Sequence, residues 1–202
     1  MRKLQRALDE DPDLPAAHSA IALLYERLGE PKLADQHYRR ALDLAPDDPN
    51  AQNAYGVFLC RHNRVADSEK YFLGAARNPT YSTPEAAYTN AGVCLLKIGK
   101  SARAQQYFRM ALKNQPKYSV ALWQLARLSF HEHKYLHTRA FLQRLMTDGS
   151  TPRAAVLWLA VRNERALGND NDADRYLREL LAKFPHSHEA QLAMQQRHSD
   201  GS

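Results

Sequence analysis

The sequence predicts an all-α fold, a right-handed superhelical solenoid of helix hairpins, and three observations carry that prediction. A pattern of small and large apolar residues recurs five times at a spacing of about 34 residues, with half a copy ahead of it, and a fixed period of that size marks stacked supersecondary units. The fifteenth residue of successive units is Gly29, Asn63, Gly99, His133 and Gly168, all residue types that accept a positive φ at a helix-to-helix turn. Nine of the ten prolines fall at or near unit boundaries, where the missing N–H costs a helix least.

The units follow in order. Residues 1–14 read as the second helix of a truncated unit, with Leu4, Ala7 and Pro12 in phase, so the sequence is expected to begin mid-repeat. In the first full unit, 15–48, Ile21, Ala22 and Tyr25 share one face of the first helix, and Ala34, Tyr38 and Ala41 one face of the second, which Pro46 ends. Pro31 starts that second helix after the Gly29 turn. The unit 49–84 supplies Tyr55, Gly56, Leu59, Ser68, Phe72 and Ala75, and 85–118 is the clearest copy, with Ala91, Gly92, Leu95, Ala104, Phe108, Ala111 and Pro116. The unit 119–153 is degenerate (Leu125, Ala126, Ser129, Thr138, Leu142, Leu145), and 154–187 gives Ala160, Val161, Ala173, Leu177, Leu180 and Pro185. Asp48-Pro49, Thr83-Pro84 and Thr151-Pro152 each read as an N-cap followed by a first helical residue. Residues 188–202 form a cap and tail, with a short polar helix over His188 to Gln196. Residues 1–202 are thus read as one continuous array.

Composition excludes disorder and bounds the function. Apolar residues make up 44% of the chain. The net charge of +6 is unevenly placed, acidic over 9–48 and basic over 103–165. The basic residues are scattered over many helical faces without a nucleic-acid module, so no nucleic-acid partner is expected. No stretch approaches the about 20 apolar residues of a membrane span. Phosphate-loop, nucleophile-elbow and zincin motifs are absent, and the chain is read as no enzyme and as needing no cofactor.

The small residues let two helices approach closely while the large ones fill the seam, and in this the units resemble the tetratricopeptide repeat. The wording is narrower still. PKLADQHYRRAL at 31–42, NAYGVFL at 53–59, KIGKSARAQQYFRMAL at 97–112 and VALWQLARLSFHEHKY at 120–135 resemble, in order and spacing, the type IV pilus biogenesis and stability proteins of the PilF/PilW kind, which act as pilotins. That resemblance implies a non-catalytic assembly factor whose partners are the secretin subunit of the type IV pilus and other pilus assembly proteins. It implies a place at the periplasmic face of the bacterial outer membrane, through an N-terminal lipid for which this chain shows no lipobox cysteine. A generic tetratricopeptide adaptor or co-chaperone is the alternative.

The repeat family also implies where a partner would lie. Its first helices line a concave groove, and here the corresponding positions are Leu23, Asn50, Asn53, Val57, Cys60, Arg61, Thr89, Val93, Leu96 and Lys97, followed by Trp123, Arg127, Phe130, His131, Trp158, Arg162 and Arg165. The expected site is an apolar groove edged with arginine that takes a peptide segment or amphipathic helix. A two-carboxylate clamp of the co-chaperone type is not expected, because its places hold Ser19, Leu23, Ala54, Ala86 and Asn90. Nor is a metal site expected from HEHKYLH at 131–137, since His133 sits in a turn. Cys60 and Cys94 fall in neighbouring first helices whose axes lie about 8–10 Å apart. They are read as two small buried thiols, with a disulfide open only if both side chains point inward.

Overall fold

The computed structural model describes residues 6, 8–147 and 153–199. The chain forms two compact units, residues 1–114 and 115–202, and among the described residues both are built of helices without strands. Unit 1 holds three hairpins: α1 (Pro15–Arg27) with α2 (Pro31–Leu44), α3 (Pro49–Arg61) with α4 (Val65–Arg77), and α5 (Pro84–Leu96) with α6 (Ser101–Asn114). Unit 2 holds α7 (Ser119–His131) with α8 (Tyr135–Met146) and α9 (Ala154–Ala166) with α10 (Asp170–Lys183), followed by α11 (His188–Ser199), which packs on α9 and α10. The expected hairpins are all present. Leu4 and Ala7 of the truncated unit lie outside the described residues, while residues 8–10 are helical.

Each hairpin is turned by the same device. Gly29, Asn63, Gly99, His133 and Gly168 have φ of 75°, 61°, 72°, 58° and 73°. Behind each of them the next N–H reaches back to a carbonyl of the last helical turn: Glu30 to Tyr25, Arg64 to Leu59, Lys100 to Leu95, Lys134 to Ser129 and Asn169 to Glu164, at 2.8–3.1 Å. This is the Schellman closure, which satisfies a carbonyl the helix end would otherwise orphan.

Helix starts follow the prolines. Pro15, Pro31, Pro49 and Pro84 each open a helix, and the Asp48 side chain accepts from Asn50 N–H at 2.9 Å as a cap. Thr83 holds the N-cap position without a side-chain bond. The start expected at Thr151-Pro152 needs correction: those residues lie outside the described ones, and α9 begins at Ala154, because Arg153 is still extended (φ −72°, ψ 156°).

Inside every hairpin a large side chain of the second helix stands opposite a small residue of the first. Ala22 shares a core cluster with Tyr38, Ala126 with Leu142, and Val161 with Leu177. The two glycine positions show how close the approach is. A Cβ on Gly56 would lie 2.8 Å from Phe72 Cε1, and one on Gly92 2.5 Å from Phe108 Cε1. Phe72 and Phe108 are fully buried and cannot withdraw.

Charged stitching runs between the helices of unit 1. Glu26 accepts from Tyr38 Oη at 2.6 Å and from Arg61 at 3.2 Å, while Asp35 accepts from Tyr55 Oη at 2.8 Å and from Arg64 at 3.0 Å. Glu69 accepts from Tyr107 Oη and from Arg103. Burial first, and then the bond to Asp35, push the Tyr55 phenol up to about 12, and Tyr38 moves upward for the same kinds of reason, with Glu26 as its partner. Both phenols therefore stay protonated and donate. In unit 2 the 3%-exposed Glu164 takes both Nε and Nη2 of Arg139, with Asn163 and Asn169 completing its shell.

Gly92→Ala tests the glycine seat. The added methyl gains helix propensity of about 1 kcal/mol, but it meets an immobile ring, and overpacking of this kind costs about 1–3 kcal/mol. Net destabilisation of up to about 2 kcal/mol is expected in a thermal melt followed by circular dichroism, with Gly56→Ala the milder of the two.

Candidate partner-binding faces

In unit 1 the first helices α1, α3 and α5 lie side by side, and their shared outward face holds the residues assigned to the groove. Leu23 is 43% exposed, whereas Val57, Val93 and Leu96 are half-buried and Asn50, Arg61 and Lys97 exposed. Most of the polar side chains here are already committed. Arg61 pairs with Glu26, Asn90 Nδ2 donates to Asn53 Oδ1 at 3.1 Å, and Lys97 Nζ donates to the Cys60 carbonyl at 3.1 Å. Thr89 and Cys60 do not belong to the open face: both are buried.

Cys60 and Cys94 are joined by a disulfide, with Cα atoms 5.8 Å apart, and this overturns the reading of two separate thiols. The reason is geometric. An interaxial distance of about 8–10 Å exceeds the separation of facing Cα atoms, because each Cα sits about 2.3 Å off its own axis. Two cysteines that both face the seam between α3 and α5 therefore come within disulfide range. Their separation of 34 residues, about one repeat, was the signal available in the sequence. With the Asn53–Asn90 bond and the Lys97 contact, the bridge ties α3 to α5 at three points along the face.

A histidine pair closes the N-terminal side of unit 1. His18 Nε2 donates to the Pro12 carbonyl at 3.0 Å, and the His18 and His37 Nδ1 atoms lie 2.9 Å apart, sharing one hydrogen bond. The His37 ring also stacks on Tyr25, with centroids 5.5 Å apart. Burial first, and then the charge of His18, lower the His37 pKa below its ordinary value of 6.5.

In unit 2 the corresponding face is formed by α7 and α9. Arg127 and Arg162 are exposed, and Trp123 and Phe130 half-buried. The Arg127 guanidinium lies 5.9 Å from the Trp123 ring centroid and that of Arg162 lies 4.7 Å from Phe130. A hollow of about 480 Å³ opens here, lined by Arg127, Phe130, His131, His133, Leu159 and Arg162. Trp158, placed on the open face by its repeat position, is only 8% exposed, because it packs in the core cluster with Ala190 and Ala193 of the capping helix α11. Its remaining edge lines a second hollow with Arg162, Leu192, Gln195 and Gln196.

Among the described residues no cluster of three or more His, Cys, Asp or Glu side chains could hold a metal ion. No described helix is long and apolar enough to cross a membrane.

Comparison with known proteins agrees with this architecture. The tetratricopeptide-repeat family matches residues 2–49, 19–83 and 59–119, and a second tetratricopeptide family matches 154–187. The type IV pilus assembly protein PilF of Pseudomonas aeruginosa is 34% identical over 193 residues, covering 93% of this chain and 74% of that protein. The crystal structure of PilW, described as a widely conserved type IV pilus biogenesis factor, superposes with a TM-score of 0.80 at 33% identity, covering 95% of this chain and 87% of that one. A Pseudomonas aeruginosa PilF structure gives 0.81 at 28% identity, covering 96% and 86%. YrrB, a tetratricopeptide protein described as having an unusual peptide-binding site, shares the fold at 17% identity, with a TM-score of 0.71 over 95% of this chain and 97% of that one.

Two outcomes follow for unit 1. A 34-residue separation gives a chain-entropy stabilisation of about 3–4 kcal/mol, so the Cys60→Ser/Cys94→Ser double variant, or reduction with dithiothreitol, lowers the melting temperature; reduction has no further effect on the double variant. Because the folded His37 pKa lies below the unfolded value, the unfolded state takes up the proton first as pH falls. The His37 contribution is full above about pH 6.5 and declines as pH drops through 6.5 toward the folded value. Melting temperatures measured from pH 7.5 to 5 decline, and His37→Gln, which keeps a donor for His18 but cannot titrate, flattens that decline.

Proposed function

Since the chain belongs to the tetratricopeptide proteins of type IV pilus biogenesis, we propose that it acts as a pilotin, a non-catalytic factor that binds the secretin subunit and promotes its assembly or localisation in the outer membrane. The observation that carries this reading is the similarity to PilF, which spans 93% of the chain and 74% of PilF itself. The disulfide supports it from another side: such bonds persist in oxidising compartments, the bacterial periplasm among them, and are rare in the cytosol. The cell envelope is the location that fits both, with the periplasmic face of the outer membrane, reached through an N-terminal lipid, as the finer proposal.

Binding is assigned to the faces of the first helices within each unit. In unit 1 the apolar surface comes from Leu23, Val57, Val93 and Leu96, beside Asn53 and Arg61; in unit 2 it comes from Trp123 and Phe130, the edge of Trp158, and the flanking Arg127 and Arg162. Aromatic and arginine side chains are the usual anchors of such contacts. The co-chaperone alternative loses support, since Ser19, Leu23, Ala54, Ala86 and Asn90 stand where its carboxylate clamp would.

Capture of the purified secretin subunit by the immobilised chain is the test. Trp123→Ala/Phe130→Ala is expected to reduce capture by about tenfold, in the range of a hot-spot loss, with helicity retained. Failure of the wild-type chain to capture the secretin, or unchanged capture by this variant and by Leu23→Asp/Val93→Asp, overturns the assignment.

A further inference from the structure

Within unit 2 the groove arginines Arg127 and Arg162 differ in what holds them from Arg61 of the unit 1 face, and from Arg64 and Arg103 outside that face. Arg61, Arg64 and Arg103 all end on carboxylates, at Glu26, at Asp35 and Asp67, and at Glu69. Arg127 and Arg162 form no ion pair with a described carboxylate; each is held against an aromatic ring instead. The acid nearest Arg162 in sequence, Glu164, is buried and saturated by Arg139, Asn163 and Asn169, and the acid nearest Arg127, Glu132, pairs with Lys134. Among the described residues that line the hollow of these arginines, none is acidic. A guanidinium that rests over a ring face keeps its N–H groups unspent, and those groups can receive a carboxylate in fork geometry. Resting there also removes side-chain entropy before a ligand arrives.

We propose that this hollow is a receptor for an acidic peptide segment, with a Glu or Asp carboxylate held by Arg127 and Arg162 and a neighbouring apolar side chain resting on Phe130 and Leu159. The proposal rests on the partner-binding reading of the chain and names the chemistry that unit 2 selects. The ligand is a peptide and not a bare anion because the floor, Phe130 and Leu159, is apolar. Arg162 also lines the second hollow, where Trp158 and Leu192 supply further apolar contact, so the surface continues past a single side chain toward α11. A phosphate-recognising surface would need cations without that floor. The two hollows, about 480 and 330 Å³, are of ligand-pocket size, which suits a few residues of peptide.

The full chain is titrated into a fluorescein-labelled dodecapeptide of Glu, Leu and Ser, and into a counterpart with Gln for every Glu, with fluorescence anisotropy as the readout. The acidic peptide is expected to bind about tenfold more tightly than the Gln peptide, with affinity falling as salt rises. Arg127→Ala and Arg162→Ala are each expected to lose most of that preference. Arg162→Lys keeps only part of it, since an ammonium lacks the fork. Equal binding of the two peptides, variants that bind as the wild type does, or complete displacement by millimolar inorganic phosphate or phosphatidylglycerol vesicles would overturn the proposal. Circular dichroism melts establish that the variants are folded. Secretin capture, run in parallel, separates the two readings. Selective peptide binding without secretin capture overturns the pilotin role alone, whereas capture that persists in the arginine variants, with no peptide selectivity, overturns this inference alone.

Discussion

Everything in the two units depends on one steric fit: a large side chain of each second helix occupies the gap left by a small residue of the first. The pairs are graded. Phenylalanine sits against glycine at Phe72–Gly56 and Phe108–Gly92, tyrosine and leucine against alanine at Tyr38–Ala22 and Leu142–Ala126, and leucine against valine at Leu177–Val161. Glycine and alanine take an aromatic ring, and alanine and valine take leucine, so the two helices of each hairpin are held at a close-packed distance. Fixing that distance fixes which face of the first helix remains outside. The binding faces are therefore a by-product of the packing, made of positions the seam does not use.

Those leftover positions can be spent on structure or on recognition, and the chain does both. In unit 1 the arginine of that face, Arg61, is spent on Glu26, and on the second helices Asp35 and Glu69 likewise gather tyrosine hydroxyls and arginines, the acidic excess over 9–48 supplying part of that set. Among the described residues of unit 2 the one buried acid, Glu164, turns to Arg139. The face of α7 and α9 keeps its cations unneutralised. The charge asymmetry legible in the sequence thus corresponds to a difference in use, since a paired arginine contributes little to a ligand while an unpaired, stacked one is already oriented for it.

Local rules were legible wherever a single residue decides the backbone. The five left-handed turn positions, the proline-opened helices and the Asp48 cap depend on φ preferences and on one missing or one added hydrogen-bond group, and all could be read without neighbours. Position in the repeat told less about exposure. It placed Trp158 on the open face, where α11 covers it through Ala190 and Ala193, and it placed Thr89 there although the seam buries it. The family period describes an interior unit, while the last unit packs against a cap that has no counterpart elsewhere in the repeat.

The disulfide shows the same limit from the other direction. Repeat proteins are stabilised by contacts between nearest neighbours, so each seam is a place where the array can open. The seam between α3 and α5 is bound by covalent and polar ties together, through Cys60–Cys94, Asn53–Asn90 and Lys97 to the Cys60 carbonyl. A cross-link here raises the cost of separating those two hairpins without adding rigidity to the turns. It also keeps Val57 and Val93, which neighbour these ties on α3 and α5, in fixed register. An apolar face whose residues belong to different hairpins presents one surface to a partner only if its seam stays closed, so the bridge contributes to recognition through preorganisation, without itself touching what is bound.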